Sequence, residues 1–169
     1  MKLLDSKIKG SIITFTFEGG QTLKAENYGN GNKIWYLNGK YHREDGPAIE
    51  RADGTKYWFL NGKYHREDGP AIEFANGSKH WYLNGKRHRE DGPAIERANG
   101  DKQWYLNGKL HREDGPAIEQ ANGHKAWYLN DKYLSHSEWE EEVAKLNSPS
   151  CNGKVVEIEG KKYRLMEVE

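Results

Sequence analysis

His42, His65, His88 and His111 are spaced 23 residues apart, and Trp35, Trp58, Trp81, Trp104 and Trp127 keep the same interval, as do Leu37, Leu60, Leu83, Leu106 and Leu129. Self-similarity at a fixed short period is the signature of a stacked repeat, in which each unit buries its apolar face only against its neighbours. This one feature rules out most globular folds. The near-identical copies run from about Asn30 to Tyr133.

Each copy carries two hairpin signals. One set is Asn38-Gly39, Asn61-Gly62, Asn84-Gly85 and Asn107-Gly108. The other is Asp53-Gly54, Asn76-Gly77, Asn99-Gly100 and Asn122-Gly123. Such dipeptides favour type I′ turns, which need positive φ at both central residues. Short β-prone runs such as "SKHWYL" lie between them, and the Asp-Gly-Pro before Ala94 marks a bend or bulge. Gly and Pro recur too often for helices. The expected fold is mainly β: an antiparallel β-hairpin solenoid forming a single-layer sheet, with about two strands per unit, a short C-terminal helix and a terminal hairpin.

Three segments are expected. Residues 1–29 include "SIITFTFEGGQTLKA", an alternating pattern that predicts a capping hairpin turning at Gly19-Gly20. Residues 30–133 are the repeats. In residues 134–169, "HSEWEEEVAKL" predicts a helix opened by a Ser135/Glu138 capping box, with Trp139, Val143 and Leu146 on one stripe that docks as a cap; "NSPSCNG" reads as a loop and "KVVEIEGKKYRLMEV" as a hairpin turning at Glu159-Gly160.

Composition fits a thin sheet rather than a thick core: 35% of residues are apolar, 31% are charged and the mean hydropathy is −1.05. Six Trp and ten Tyr must then supply much of the buried area. Basic and acidic residues balance at 26 each, which speaks against bulk nucleic-acid or membrane-surface binding. The single cysteine, Cys151, excludes an internal disulfide and reads as an incidental thiol. With no apolar leader in "MKLLDSKIKG" and no long apolar run, the expected location is the cytoplasm.

The 23-residue period, the "NGKxH" core and the "DG" or "NG" end resemble the MORN repeat family over residues 30–133. MORN units usually place Gly shortly after the His, whereas Arg-Glu-Asp-Gly-Pro follows here. The "HREDGPA" variant is similar to repeats of uncharacterised bacteriophage proteins, as is the C-terminal ending. The resemblance implies a β-hairpin solenoid with a scaffolding or binding role, in a bacterial host cytosol for the phage-like variant; it does not imply a reaction.

Side-chain alternation then assigns faces. If both turn sets are two-residue turns, Tyr82 pairs with Arg87 and Leu83 with Lys86, while Ile72 pairs with Trp81 and Glu73 with His80. Ile72, Trp81, Leu83 and His88 would share one face; Glu73, His80, Tyr82, Arg87 and Arg89 would share the other. The first face is constant between copies and reads as core. The second carries columns that differ, Ile34/Tyr57/His80/Gln103/Ala126 and Tyr41/Tyr64/Arg87/Leu110/Tyr133, beside an aromatic row of Tyr36, Phe59, Tyr82, Tyr105 and Tyr128. Tyr41, Tyr64, Arg87, Leu110, Tyr57, His80, Tyr82, Tyr105, Arg66 and Arg89 are therefore the candidate binding residues, since Tyr and Arg supply contact area and directed hydrogen bonds.

Equivalent histidines lie roughly 10 Å apart at two strands per unit, too far to share a metal ion. Four copies of His-Arg-Glu-Asp on an extended sheet make no single cleft for acid–base catalysis. The sequence thus predicts a non-enzymatic binding protein with no cofactor, acting as a monomer or small homo-oligomer. It would engage and inhibit or redirect a host protein, as a counter-defence factor does. The alternatives are a sponge for a nucleotide signal and a structural scaffold.

Overall fold

The computed structural model describes residues 3–147 and the strands Val155–Ile158 and Lys161–Arg164, and the chain divides into two compact units, Met1–Leu134 and Ser135–Glu169. The first unit is one antiparallel succession of hairpins. It opens with β1 (Leu3–Lys9), β2 (Ile12–Phe17), β3 (Thr22–Asn27) and β4 (Lys33–Leu37), each paired with the next. The hairpin expected around Gly19-Gly20 is the β2–β3 pair. The edge strand β1, which the sequence pattern did not suggest, adds a third strand to it.

Each repeat contributes four short strands rather than two. In the third copy, Lys79–His80 and Ile95–Glu96 join the long ladder, while Tyr82–Leu83 and Lys86–Arg87 form a separate ribbon. The strand changes partners at its Trp. The Trp81 N–H bonds to the Ala94 carbonyl at 2.8 Å, and the Trp81 carbonyl accepts the His88 N–H at 3.2 Å. Successive ribbons are joined in turn: the Gly85 N–H bonds to the Tyr64 carbonyl, and the Arg66 N–H bonds to the Tyr82 carbonyl.

The two turn sets differ. Asn84 and Gly85 have φ of 51° and 83°, a type I′ turn that pairs Tyr82 with Arg87 and Leu83 with Lys86 as expected. At Asn76-Gly77 only the glycine has positive φ, at 88°. Phe74 and Ser78 close a three-residue loop, with the Phe74 N–H on the Ser78 carbonyl and the Gly77 N–H on the Phe74 carbonyl. Asn76 spends its side chain in an Asx turn, accepting the Ser78 N–H at 3.0 Å.

That extra residue moves the register by one. Ile72 pairs with His80 and Glu73 with Lys79, so the expected Ile72–Trp81 and Glu73–His80 pairs do not form. A one-residue slip exchanges faces. Ile72 therefore lies on the side of His80, and Glu73 on the side of Trp81.

Ala48, Ala71, Ala94 and Ala117 are wholly enclosed, and the larger Phe59, Ile72, Ile95, Leu129 and Leu134 are buried as well. Two series of side-chain latches tie the copies together. The Nδ1 atoms of His42, His65, His88 and His111 accept the backbone N–H of Asn61, Asn84, Asn107 and Asn130, each at 3.0 to 3.2 Å. On the ladder side, oxygens of Asn32, Thr55, Ser78 and Asp101 accept the N–H of Ala52, Ala75, Ala98 and Ala121. Both series join a residue to the following copy, so the stack is cross-linked along two lines.

In the second unit, α1 (His136–Asn147) begins with the capping box: the Glu138 N–H bonds to Ser135 Oγ, and the Ser135 N–H bonds to Glu138 Oε2. Trp139 and Val143 are half-buried and Leu146 is exposed. Val155–Ile158 and Lys161–Arg164 pair as the expected hairpin. Its turn at Glu159-Gly160, the "NSPSCNG" loop and Cys151 lie outside the described residues. Among the described residues, no helix is long and apolar enough to cross a membrane.

Candidate binding surface

The Arg-Glu-Asp-Gly-Pro segment is consumed by the fold. Arg89 lies flat on its own loop. Its Nε donates to Asp91 at 2.8 Å, its Nη1 donates to the Pro93 carbonyl at 3.3 Å and to Glu96 at 2.8 Å, and its Cζ sits 4.1 Å from the centre of the Trp81 ring. Gly92 leaves room beneath it, since a Cβ there would lie 3.0 Å from that Cζ and the guanidinium would have to shift. Arg43, Arg66 and Arg112 repeat the arrangement over Trp35, Trp58 and Trp104. The guanidinium beside Asp45, Asp68 and Asp91 holds each carboxyl below the usual carboxylate range.

Arg66 and Arg89 therefore lie on the Trp side and not beside Tyr82 and Arg87, contrary to the face assignment from sequence. The register shift places Glu73 on that side as well. The Trp side is built of residues that recur unchanged: Trp, Leu, His, Arg, and a cross-strand series in which Glu73 faces Lys56 and Lys79, and Glu96 faces Lys79 and Lys102. Clefts of about 700 Å³ recur on this side, one of them between Arg89, Asp91, Trp104, Leu106 and His111.

The opposite side carries the remaining eight candidates together. Each ribbon contributes one cross-strand pair: Tyr36–Tyr41, Phe59–Tyr64, Tyr82–Arg87, Tyr105–Leu110 and Tyr128–Tyr133. Ring centres follow one another at 5.1 Å (Tyr36–Tyr41), 5.2 Å (Tyr41–Phe59), 4.2 Å (Phe59–Tyr64) and 5.2 Å (Tyr64–Tyr82). Arg87 continues the row as a cation. Its guanidinium lies 5.9 Å from the Tyr82 ring and 5.2 Å from the Tyr105 ring, and its Nε donates to the Tyr82 hydroxyl at 3.2 Å.

Tyr57 and His80 join this surface from the ladder. Tyr57 lies 6.3 Å from both Tyr64 and Phe74, and His80 meets Phe74 edge-on at 5.1 Å. Burial, then the charges of Arg87 and Arg97, push the His80 imidazole below its ordinary value. Burial raises the Tyr64 and Tyr36 phenols, with Glu26 adding to the effect at Tyr36. At the N-terminal end of the row, Glu26 is buried against Lys24 and Tyr28, whose hydrogen bonds hold its carboxyl below the usual range.

The sequence reading missed one column of this surface: Tyr28, Arg51, Phe74, Arg97 and Gln120, again 23 residues apart. Arg51 lies over the Tyr57 ring at 5.1 Å. Its signal was present, since the column differs in every step along the stack, but only the correct register brings it to the same side as His80.

Comparison with protein-family models, curated proteins and solved structures finds no match.

Proposed function

We propose that the chain is a non-enzymatic binding protein that engages a protein partner through the side bearing Tyr41, Tyr64, Arg87 and Leu110. One observation carries this reading. Three of the four columns whose chemistry changes from copy to copy (those of Phe74, His80 and Arg87) meet on one surface, while the fourth, that of Ser78, supplies the ladder-side latches and the Trp side repeats almost without change. Residues held in internal bonds vary only within the chemistry of that bond, as Asn32, Thr55, Ser78 and Asp101 all keep an accepting oxygen; residues that meet a partner of irregular shape are free of that constraint. The aromatic row also suits a protein better than a nucleobase. Its rings lie against one another, so they offer edges, hydroxyls and the Arg87 guanidinium rather than open faces for stacking. That the partner is a host cytoplasmic factor, inhibited or redirected in counter-defence, follows from the resemblance to bacteriophage repeats.

The test compares the unmodified chain with Tyr64→Ala/Arg87→Ala/Leu110→Ala and with Glu90→Gln, whose side chain is exposed on the Trp side. Affinity capture from bacterial lysate is read by mass spectrometry of proteins and of heat-released small molecules. A stoichiometric protein kept by Glu90→Gln and lost by the triple variant is the expected result. Equal capture by all three chains overturns the assignment. A nucleotide released without any protein replaces it with the sponge reading.

A further inference from the structure

Among the described residues β1 is paired on one side only, with β2, and forms one end of the long sheet. It exposes large apolar side chains there: Leu4 is 59% and Ile8 76% accessible. Sheet edges of this length are normally shielded, because their free N–H and C=O groups accept another strand. The opposite end of the same sheet is the three-residue strand Lys132–Leu134.

The residues of β1 read Leu3, Leu4, Asp5, Ser6, Lys7, Ile8, Lys9. We propose that β1 pairs antiparallel with β1 of a second copy about a twofold axis at Ser6, joining two sheets into one dimer. In that register Asp5 faces Lys7 of the partner copy and Lys7 faces its Asp5. Leu4 faces Ile8, Ile8 faces Leu4, and the small Ser6 meets itself. Asp5 and Lys7 point to the same side of β1 and pair with each other at 3.5 Å; both side chains are well exposed, so each can exchange that contact for one across the axis.

The two adjacent registers fail on the same residues. Directly opposed residues of an antiparallel pair are either both hydrogen-bonded or both not, so the register of two identical strands moves in steps that keep a residue on the axis. One step in one direction sets Asp5 against Asp5; one step in the other sets Lys7 against Lys7. Like charges directly opposed are destabilising. The pair Asp5–Lys7 also falls where β1 is regular, since its one register shift against β2 lies between Leu3 and Asp5. A contact that uses the same patch on both copies closes at two.

The decisive experiment is charge exchange on the full chain, read by sedimentation velocity over a concentration series. Lys7→Asp and Asp5→Lys each oppose like charges twice, and are expected to raise the dimer dissociation constant about tenfold or more. The double exchange Asp5→Lys/Lys7→Asp rebuilds both pairs and is expected to restore the dimer. Amide hydrogen exchange on the unmodified chain gives a second readout, with protection in residues 5–9 rising with concentration. A chain monomeric throughout the series overturns the proposal. So do a dimer indifferent to the single exchanges, a double exchange no better than either single one, or an unchanged β1 as the dimer forms. Species that grow beyond two would mean head-to-tail joining of unlike ends and would overturn it equally.

Discussion

The Nδ1 atom of His88 accepts the backbone N–H of Asn107 at 3.1 Å, reaching from one copy to the turn of the next. Asn107 sits at φ 53°, a left-handed conformation that asparagine tolerates better than most side chains, and the imidazole bond adds to the turn's own preference. The histidine that first suggested catalysis is thus a clamp between copies. Replacing it with Ala removes both the bond and the packing of a largely enclosed ring. His88→Ala is expected to cost about 1–2 kcal/mol. Because the lost contact joins neighbours in the middle of a stack, the urea transition should also broaden, which His111→Ala nearer the end should do less. A sharp, unshifted transition for His88→Ala would sink this account.

Arg89 and Gly92 form a second coupled pair, the guanidinium lying between the glycine and the Trp81 ring. Arg89→Ala should destabilise by about 1–2 kcal/mol through lost stacking and hydrogen bonds. Gly92→Ala should do so by about 1 kcal/mol, because the new methyl displaces the guanidinium. The double variant should cost less than the two together, since the methyl then has nothing to displace. Strict additivity in thermal or urea denaturation would refute the sandwich.

The repeat, the hairpin succession and the capping box of α1 were legible because each rests on local chemistry: a period, an Asn-Gly pair, a Ser-x-x-Glu spacing. The faces were not. Asn84-Gly85 and Asn76-Gly77 look alike, yet the first is a two-residue turn and the second is the end of a three-residue loop. That single residue decides on which side Glu73 and Phe74 stand, whereas Arg89 reaches Trp81 because the regular strand ends at Arg87. The clue lay one position beyond the glycine, where Asn32, Thr55, Ser78 and Asp101 are all short side chains able to accept a hydrogen bond. Such a column serves a latch, and a latch to the following copy fixes the loop. Eight of the ten candidate residues still share one side, because the alternation of His80 with Tyr82 and the turn at Asn84-Gly85 do not depend on that loop.

His80 gives the surface a pH dependence of known sign. Its folded-state affinity for a proton lies below that of the unfolded chain, whose imidazole titrates near the ordinary 6.5. The unfolded state therefore binds more protons as pH falls through that value, and stability present above it is lost on the acid side. Gln103 occupies the equivalent place one copy on, so His80→Gln is a compatible replacement. The stability of the unmodified chain, read by urea denaturation, should fall from about pH 7 to pH 5 more steeply than that of His80→Gln. Equal slopes would remove His80 from the titration.

Arg87 separates stability from binding. The same column holds Tyr at positions 41, 64 and 133, and the ring of Tyr64 already stacks at 5.2 Å from Tyr82. Arg87→Tyr would extend an unbroken aromatic row, exchanging two cation–π contacts and one hydrogen bond for ring contacts of comparable strength, so stability should change by less than about 1 kcal/mol. The guanidinium is nevertheless the cationic member of the row formed by these ribbon pairs, and a partner that reads it loses its donors. Partner capture by Arg87→Tyr should fall at least about tenfold while the melting temperature holds. Retained capture at unchanged stability would mean that the row is a packing device and that recognition rests on the Phe74 and His80 columns.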